Sequence, residues 1–203
     1  MRTSGKKTIK GIGEVKMKSY AKAILYIYPG IEAVAKQIDD IVMRKALASF
    51  SDSTSCLVQA ERIVENIRQK ERLLELKEIV KSALSRFTEE EVRCFEYKYF
   101  KRKPKSYYRD LDVTGRKYFR LQNRLLDRFC EILKRKGLTE EEFEREYMSM
   151  GFVKELVRRI ERSEERAREA IRERSNAEKP RAREKDRPDN GRSAAERKKK
   201  DPA

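Results

Sequence analysis

The sequence predicts an all-α protein, and three observations support this prediction. Apolar residues recur at steps of three and four through most of the chain before Ser175, which is the spacing of one face of an α-helix. Helix-capping sequences and isolated glycines or prolines separate these periodic runs. No segment shows the two-residue alternation of a β-strand. We therefore expect an N-terminal helical hairpin, a domain of shorter helices and a C-terminal tail without a fold of its own.

The composition points to a polyanionic partner. The chain has 203 residues and a formal net charge of +16, with 42% charged and 38% apolar residues. So much charge predicts a thin helical core with wide solvated faces rather than one large core. The positive excess favours DNA, RNA or an acidic membrane surface as the binding partner.

The residue types argue against an enzyme and against a metal or cofactor site. The chain has no histidine, which is the commonest general base and zinc ligand. Cys56, Cys94 and Cys130 are far apart, and none belongs to a CxxC pair. Glycine-rich phosphate loops and the GxSxG nucleophile motif are also missing. Unpatterned cysteines indicate a reducing compartment with buried thiols.

Targeting signals are not evident in the sequence. The basic N-terminus "MRTSGKKTIKGIGEVKMK" lacks the apolar stretch of a signal peptide, and "AILYIYPGI" is too short to span a bilayer. We expect a cytoplasmic protein without membrane contact, associated with the nucleoid if its partner is DNA.

Two segments precede the main domain. Residues 1–16 contain glycine and five basic residues, and predict a flexible basic arm. Residues 17–86 form the N-terminal helical region, in which Pro29 predicts a break and "SFSDSTS" a loop. From Cys56 to Phe87 the chain has no glycine or proline, which predicts one long helix packing on the first. A coiled-coil dimer is the alternative, although Glu71 and Glu78 interrupt its apolar seam.

Residues 87–137 predict a domain of three helices. Thr88 and Glu91 have capping-box spacing, so a helix begins there. Pro104 fits the first turn of a short second helix ending near Leu111. After the turn "DVTG", a third helix runs to about Lys136, and Gly137 ends it as a C-terminal cap.

The remaining chain divides into a helical extension and a tail. Thr139 and Glu142 repeat the capping-box spacing, and residues 138–174 predict a highly charged helical extension. Residues 175–203 have no apolar period and carry proline, asparagine, glycine and mixed charge, which predicts a disordered basic tail.

The joint around "DVTG" has the pattern of a helix-turn-helix. Such a motif needs apolar residues that face inward from both helices and one that fills the turn. Thr114 stands where a side chain could cap the second helix. The predicted inward residues are Tyr107, Leu111, Val113, Tyr118, Leu121, Leu125, Phe129 and Ile132.

The outward face of the second helix is predicted to read DNA. Arginine bonds guanine bidentately in the major groove, asparagine bonds adenine, and lysine more often holds phosphate. Residues 98–124 carry ten Lys or Arg and two Asp, a net +8, which is half of the chain's excess. This concentration favours nucleic acid over charge that serves solubility. The predicted DNA-binding residues are Lys101, Arg102, Lys103, Lys105, Thr114, Arg116, Lys117, Arg120, Asn123 and Arg124.

The same region resembles a known family. The stretch "FTEEEVRCFEYKYFKRKPKSYYRDLDVTGRKYFRLQNRLLDRF" from Phe87 is similar to region four of sigma-70-type factors, which opens with "LTEEE" and contains a helix-turn-helix. Within it, "RKYFRLQNRLLDRF" resembles ArpU-type phage and prophage transcriptional regulators. The resemblance covers about residues 87–133 and implies binding to double-stranded DNA. Where the family usually has Gly at the turn and a small residue at the crossing, this chain has Asp112 and Tyr108. Tyr108 either separates the two helices or points outward towards a phosphate.

We therefore expect a sequence-specific DNA-binding transcriptional regulator of bacterial or prophage origin. The N-terminal helices would contact RNA polymerase or a second copy of the chain in a homodimer. The alternative is a helical adaptor that binds RNA or RNA polymerase without sequence-specific DNA contact.

Overall fold

The computed structural model describes the backbone of residues 5–48, 55–101, 103–109, 111 and 115–185. These residues are almost entirely helical and contain no strand, which confirms the all-α prediction. The α-helices in these ranges are α1 (Gly5–Ile27), α2 (Ile31–Ala48), α3 (Cys56–Leu84), α4 (Glu89–Phe95), α5 (Arg116–Arg135), α6 (Glu140–Tyr147) and α7 (Gly151–Lys185). Side-chain surroundings are described for residues 16–47, 55–101, 103–104, 106–109, 111 and 115–173.

Pro29 divides the first helical run, as the sequence predicted. It lies in a 3-10 turn, Tyr28–Gly30, between α1 and α2, because its ring fixes φ and its nitrogen has no proton to donate. The structure differs at the start of the chain. It places residues 5–16, expected in a flexible arm, in α1. A glycine inside a helix costs only about 1 kcal/mol, and no proline interrupts this segment.

Residues close to the helix ends form caps at the positions that the sequence predicted. The Thr88 hydroxyl accepts the Glu91 N–H, and the Glu91 carboxylate accepts the Thr88 N–H in return. At α6 the Thr139 hydroxyl accepts the Glu142 N–H at 3.3 Å. Gly137 has φ +86° and ends α5, which fits the left-handed conformation that glycine adopts without a Cβ penalty.

The segment after α4 is less regular than predicted. The chain continues from α4 as a π-helical turn, Glu96–Phe100, and leaves it at Lys101 with φ +48°. A 3-10 turn, Lys105–Tyr108, then takes the place of the predicted short α-helix. Pro104 precedes this turn in an extended conformation instead of occupying its first position.

The chain divides into two compact units, residues 1–161 and 162–203. In the first unit α2 packs along α3, and α1 packs against α5 and α6. Its core includes a cluster of aromatic rings, in which Phe95 lies 5.8 Å from Phe129 and 5.3 Å from Phe87 between ring centroids. Phe143 stacks on Tyr20 with centroids 4.7 Å apart.

The described part of the second unit, residues 162–185, belongs to α7. An ion pair between Arg168 and Glu164 lies along it. Residues 175–185, expected to be disordered, are helical in this structure, and this range includes Pro180. The alanine, glutamate, lysine and arginine residues on either side of it are good helix formers. The rest of the predicted tail, 186–203, lies outside the described residues.

Candidate nucleic-acid interface

Helix α5 buries the face that the sequence assigned to its core. Tyr118, Leu125, Phe129 and Ile132 are all buried. Leu121 is partly buried against the same core. This face packs on α1, α3 and α4. The roll of α5 is therefore fixed, and so is the direction of its opposite face.

The opposite face carries the predicted DNA-reading residues, all of them exposed. Because an α-helix turns 100° per residue, they lie within an arc of about 120°. In the part of the chain that the structure describes, none of the four cations forms an ion pair with a carboxylate. No described carboxylate therefore neutralises their charge. These residues are Arg116, Lys117, Arg120, Asn123 and Arg124.

Arg128, farther along α5, differs from these residues because it makes contacts within the fold. Its guanidinium donates to the Glu91 carboxylate at 3.1 Å and to the Arg86 carbonyl at 2.7 Å. It also lies over the Phe87 ring, 4.7 Å from the centroid. Arg128 fastens α5 to the start of α4, whereas Arg124, one turn earlier, has no such partner among the described residues.

The first turn of α5 carries an unusual charge for a helix start. Glu89, Glu90 and Glu91 occupy the first turn of α4, and α6 likewise begins with three glutamates. The first turn of α5 has no acidic residue and begins with Arg116 and Lys117. Cations at this end add to the positive end of the helix dipole and are unfavourable without an anion nearby. The combined field is suited to an anion such as a phosphate.

Gly115 is the N-cap residue of α5, one position after the predicted cap at Thr114. Its φ of +91° and ψ of 179° fall in a region that only glycine enters readily, and among the described residues no side chain caps the helix. Gly115 itself thus offers no side chain to the first N–H groups of α5. Thr114 and the turn residue Val113 lie outside the described residues, as does Asp112.

Tyr107, predicted to face inward, is largely exposed, whereas Tyr108 takes the inward position that was one of its two predicted alternatives. Tyr108 is buried, with 3% of its surface exposed, whereas Tyr107 is 45% exposed. The Tyr108 ring lies 5.5 Å from Tyr97, and Tyr97 lies 6.1 Å from Tyr118. The Tyr97 ring thus contacts both the 3-10 turn, through Tyr108, and the start of α5, through Tyr118. Burial raises the pKa of Tyr108, which is the inward residue here, and does not point out towards a phosphate.

The basic stretch before the turn is only partly available as an anchor. Lys101 is exposed. The Lys103 ammonium lies 3.8 Å from the centroid of the Tyr107 ring, a cation–π contact. Lys105 belongs to the 3-10 turn, but its side chain is not among those described, and Arg102 lies outside the described residues. Arg93 donates to the Tyr107 carbonyl at 3.1 Å and holds the turn against α4.

Two residues of α5, Gln122 and Phe119, have positions that the sequence did not predict. Gln122 is buried, and its amide nitrogen donates to the Cys94 carbonyl at 3.1 Å and to the Tyr118 hydroxyl oxygen at 2.6 Å. Phe119 is 63% exposed beside Arg120. The burial of Gln122 could have been predicted from its position in the apolar stripe, four residues after Tyr118. Phe119 could have been recognised as an aromatic residue outside that stripe.

Burial also affects the acid–base behaviour of this region. It raises the pKa of Tyr118 to about 12 and that of the Cys130 thiol to about 11. Among the described residues, no group of three or more histidine, cysteine, aspartate or glutamate side chains could hold a metal ion. Nor is any described helix long and apolar enough to cross a membrane.

Comparison with known proteins adds no assignment. No family model, curated protein or solved structure matches the chain.

Proposed function

We propose that the chain is a DNA-binding transcriptional regulator that reads a specific sequence with the exposed face of α5. The proposal rests on one observation: four cations that have no carboxylate partner among the described residues share a helix face with an asparagine, and the opposite side of that helix packs in the core. A major groove is wide enough to admit one α-helix, and base edges present acceptors there to arginine. The same chemistry would associate the protein with the nucleoid.

Roles follow from the chemistry of each side chain. Arg116 and Arg120 lie on the first two turns of α5 and would bond guanine. Asn123, one turn further, would bond adenine through its amide. Lys117 and Lys101 would hold phosphates, together with the N–H groups at the start of α5. The resemblance to sigma-70 region four and to ArpU-type regulators supports a bacterial or prophage origin.

Selection of bound sequences from random double-stranded DNA tests the proposal. The expected result is an enriched motif for the parent and its loss in Arg116→Gln/Arg120→Gln. The matched control is Lys36→Gln/Lys154→Gln, which removes the same charge at exposed positions on α2 and α7. Flat recovery with the parent would reject sequence-specific reading, and would favour a helical adaptor that binds RNA or RNA polymerase.

The dependence of DNA affinity on salt concentration distinguishes contacts to bases from contacts to phosphates. Each lost phosphate contact reduces the slope of log affinity against log salt by about 0.9. Lys117→Gln should therefore flatten the slope by about one and weaken all sequences alike. Arg120→Gln should reduce the preference for the selected motif, by roughly 1–3 kcal/mol for a bidentate guanine contact. If Lys117→Gln and Arg120→Gln changed the affinities for specific and for random DNA in the same way, these roles would be contradicted.

A further inference from the structure

Helix α3 has two apolar faces, and the described residues cover only one of them. The inner face buries Leu73, Leu76, Val80, Ala83 and Leu84. On the opposite side a stripe of aliphatic residues is exposed along the helix. It repeats every seven residues, in the two series Leu57–Val64 and Ala60–Ile67–Leu74. The exposed fractions are 68% for Leu57, 46% for Val64, 40% for Ile67 and 37% for Leu74.

We propose that this stripe binds the same stripe of a second copy of the chain, with the two α3 helices antiparallel. A seven-residue apolar repeat is the pattern by which helices pair along a seam. The stripe from Leu57 to Leu74 is about 25 Å long at 1.5 Å per residue. Apolar stripes of this kind on a helix surface mark interaction sites.

The register of the antiparallel pair follows from the sequence. A two-fold axis midway between Glu65 and Asn66 places residues at equal distances from that point opposite each other. Leu57 then packs on Leu74 of the second copy, and Val64 packs on Ile67 of the second copy. Every large aliphatic residue of the stripe thus meets another one, which makes the surface complementary to itself.

The acidic interruptions of the stripe also fit this register. Glu71 lies opposite Ala60 of the second copy, whose small side chain leaves the carboxylate room to reach water. Glu78 falls beyond the N-terminal end of α3 of the second copy. A parallel pair would instead bring Glu71 against Glu71 and Glu78 against Glu78, and like charges at a seam repel.

Charges beside the stripe support the same arrangement. Lys70 and Lys77, on one flank, are bound to Asp39 and Glu32 of α2 in the same chain. The other flank presents Glu61 and Arg68, both exposed, and neither forms an ion pair with a described residue. In the antiparallel register Glu61 lies beside Arg68 of the second copy, and the two-fold repeats this pair. The second copy therefore supplies the charge that each residue lacks.

Measurement of mass in solution tests the pairing. Light scattering of the full chain should give twice 24.1 kDa, and Val64→Glu/Ile67→Glu should give 24.1 kDa. Both positions are exposed in the protomer, so circular dichroism should show unchanged helix content. Met43→Glu/Leu47→Glu is the matched control, because it places the same charges on exposed apolar residues of α2 and should leave the dimer intact. A parent of 24.1 kDa at about 100 μM, or a dimer that survives Val64→Glu/Ile67→Glu, would overturn the proposal.

Cross-linking and charge exchange test the orientation. In a Cys56→Ser background, Leu57→Cys/Leu74→Cys should form covalent dimers on oxidation, whereas Leu57→Cys alone should not. Efficient cross-linking through the single cysteine would show a parallel pair and overturn the register. Arg68→Glu should weaken the dimer about tenfold, because two attractive pairs become repulsive. Glu61→Arg/Arg68→Glu should restore it, and failure to do so would reject the charge pairing. These tests use no nucleic acid, so their outcome is independent of the function proposed for α5.

Discussion

Arg128 and Glu91 join the start of α4 to the middle of α5. Arg128 donates from Nη1 to both carboxylate oxygens of Glu91 at 3.1 Å, while Glu91 Oε2 also accepts the Thr88 N–H at 3.0 Å. The carboxylate that completes the cap of α4 is thus also the anchor of α5. A substitution at Arg128 should therefore act on the fold, and one at Arg124 on binding.

Arg128→Ala should lower the free energy of unfolding by about 1 kcal/mol. The pair is half-exposed on the arginine side, with 49% of that side chain accessible, so solvent screens much of its attraction. The hydrogen bond to the Arg86 carbonyl is lost as well. Urea unfolding measures the change. Arg124→Ala should stay within about 0.5 kcal/mol of the parent while it weakens DNA binding. Equal stability of the two variants would show that the anchor is not structural.

Phe119→Ala and Phe129→Ala should have opposite consequences. Phe129 is completely buried among Phe87 and Phe95, so its truncation should cost about 3–5 kcal/mol of stability. Phe119 is 63% exposed, and its truncation should leave the unfolding midpoint nearly unchanged. In the function proposed for α5 its ring would contact a thymine methyl group, so binding to the selected motif should weaken. Gel shifts and urea unfolding of both variants check this, and unaltered DNA affinity of Phe119→Ala would remove it from the interface.

Gly115→Ala should destabilise the start of α5 by about 1–3 kcal/mol. A Cβ at this position would meet nothing within 4 Å, so the cost arises from the backbone conformation at φ +91° and not from a clash. Gly151→Ala is the control, since a Cβ there also meets nothing and its φ is ordinary. It should stabilise the chain slightly by restricting the unfolded state. Thermal unfolding compares the two, and a similar shift in both would mean that Gly115 is not strained.

The free energy of unfolding should fall steeply above about pH 9. Burial raises the pKa of Cys130 from 9.0 to about 11, and those of Tyr118 and Tyr147 from 10.0 to about 12. Between these values the unfolded chain releases protons that the folded chain retains, so stability is present below the unfolded pKa and is lost as the pH rises through the folded pKa. Unfolding midpoints from pH 7 to 11 measure the loss. Tyr147→Phe should reduce the slope above pH 10, and an unchanged slope would argue against this cause.

The elements that local sequence determines were predicted, and those that depend on distant packing were not. The caps at Thr88 and Gly137 act within a few residues, so spacing alone revealed them. The choice between Tyr107 and Tyr108 as the inward residue depends on the Tyr97 ring in the preceding π-helical turn. The 3-10 turn also has three residues per turn instead of 3.6, so different residues face inward than in an α-helix.

The outward direction of the basic residues of α5 was predicted correctly from the apolar stripe between them. At 100° per residue, the position of the core face determines which residues point outward. Helix α3 is the opposite case. Leu73 is buried and Leu74 is exposed, and apolar residues on both sides make the pattern ambiguous. The positions of α2, α5 and α6 show which side is covered.

The hydrogen bonds of Gln122 have a consequence for the aim of α5. A rotation of α5 about its own axis by one residue would carry the amide away from the Cys94 carbonyl and leave a polar group unpaired in an apolar surrounding. The same rotation would also turn exposed basic residues towards the core, so the amide acts together with the apolar packing of the inner face. The buried amide thus adds a directional restraint to the packing that keeps Arg116, Arg120 and Asn123 on the outward side of α5.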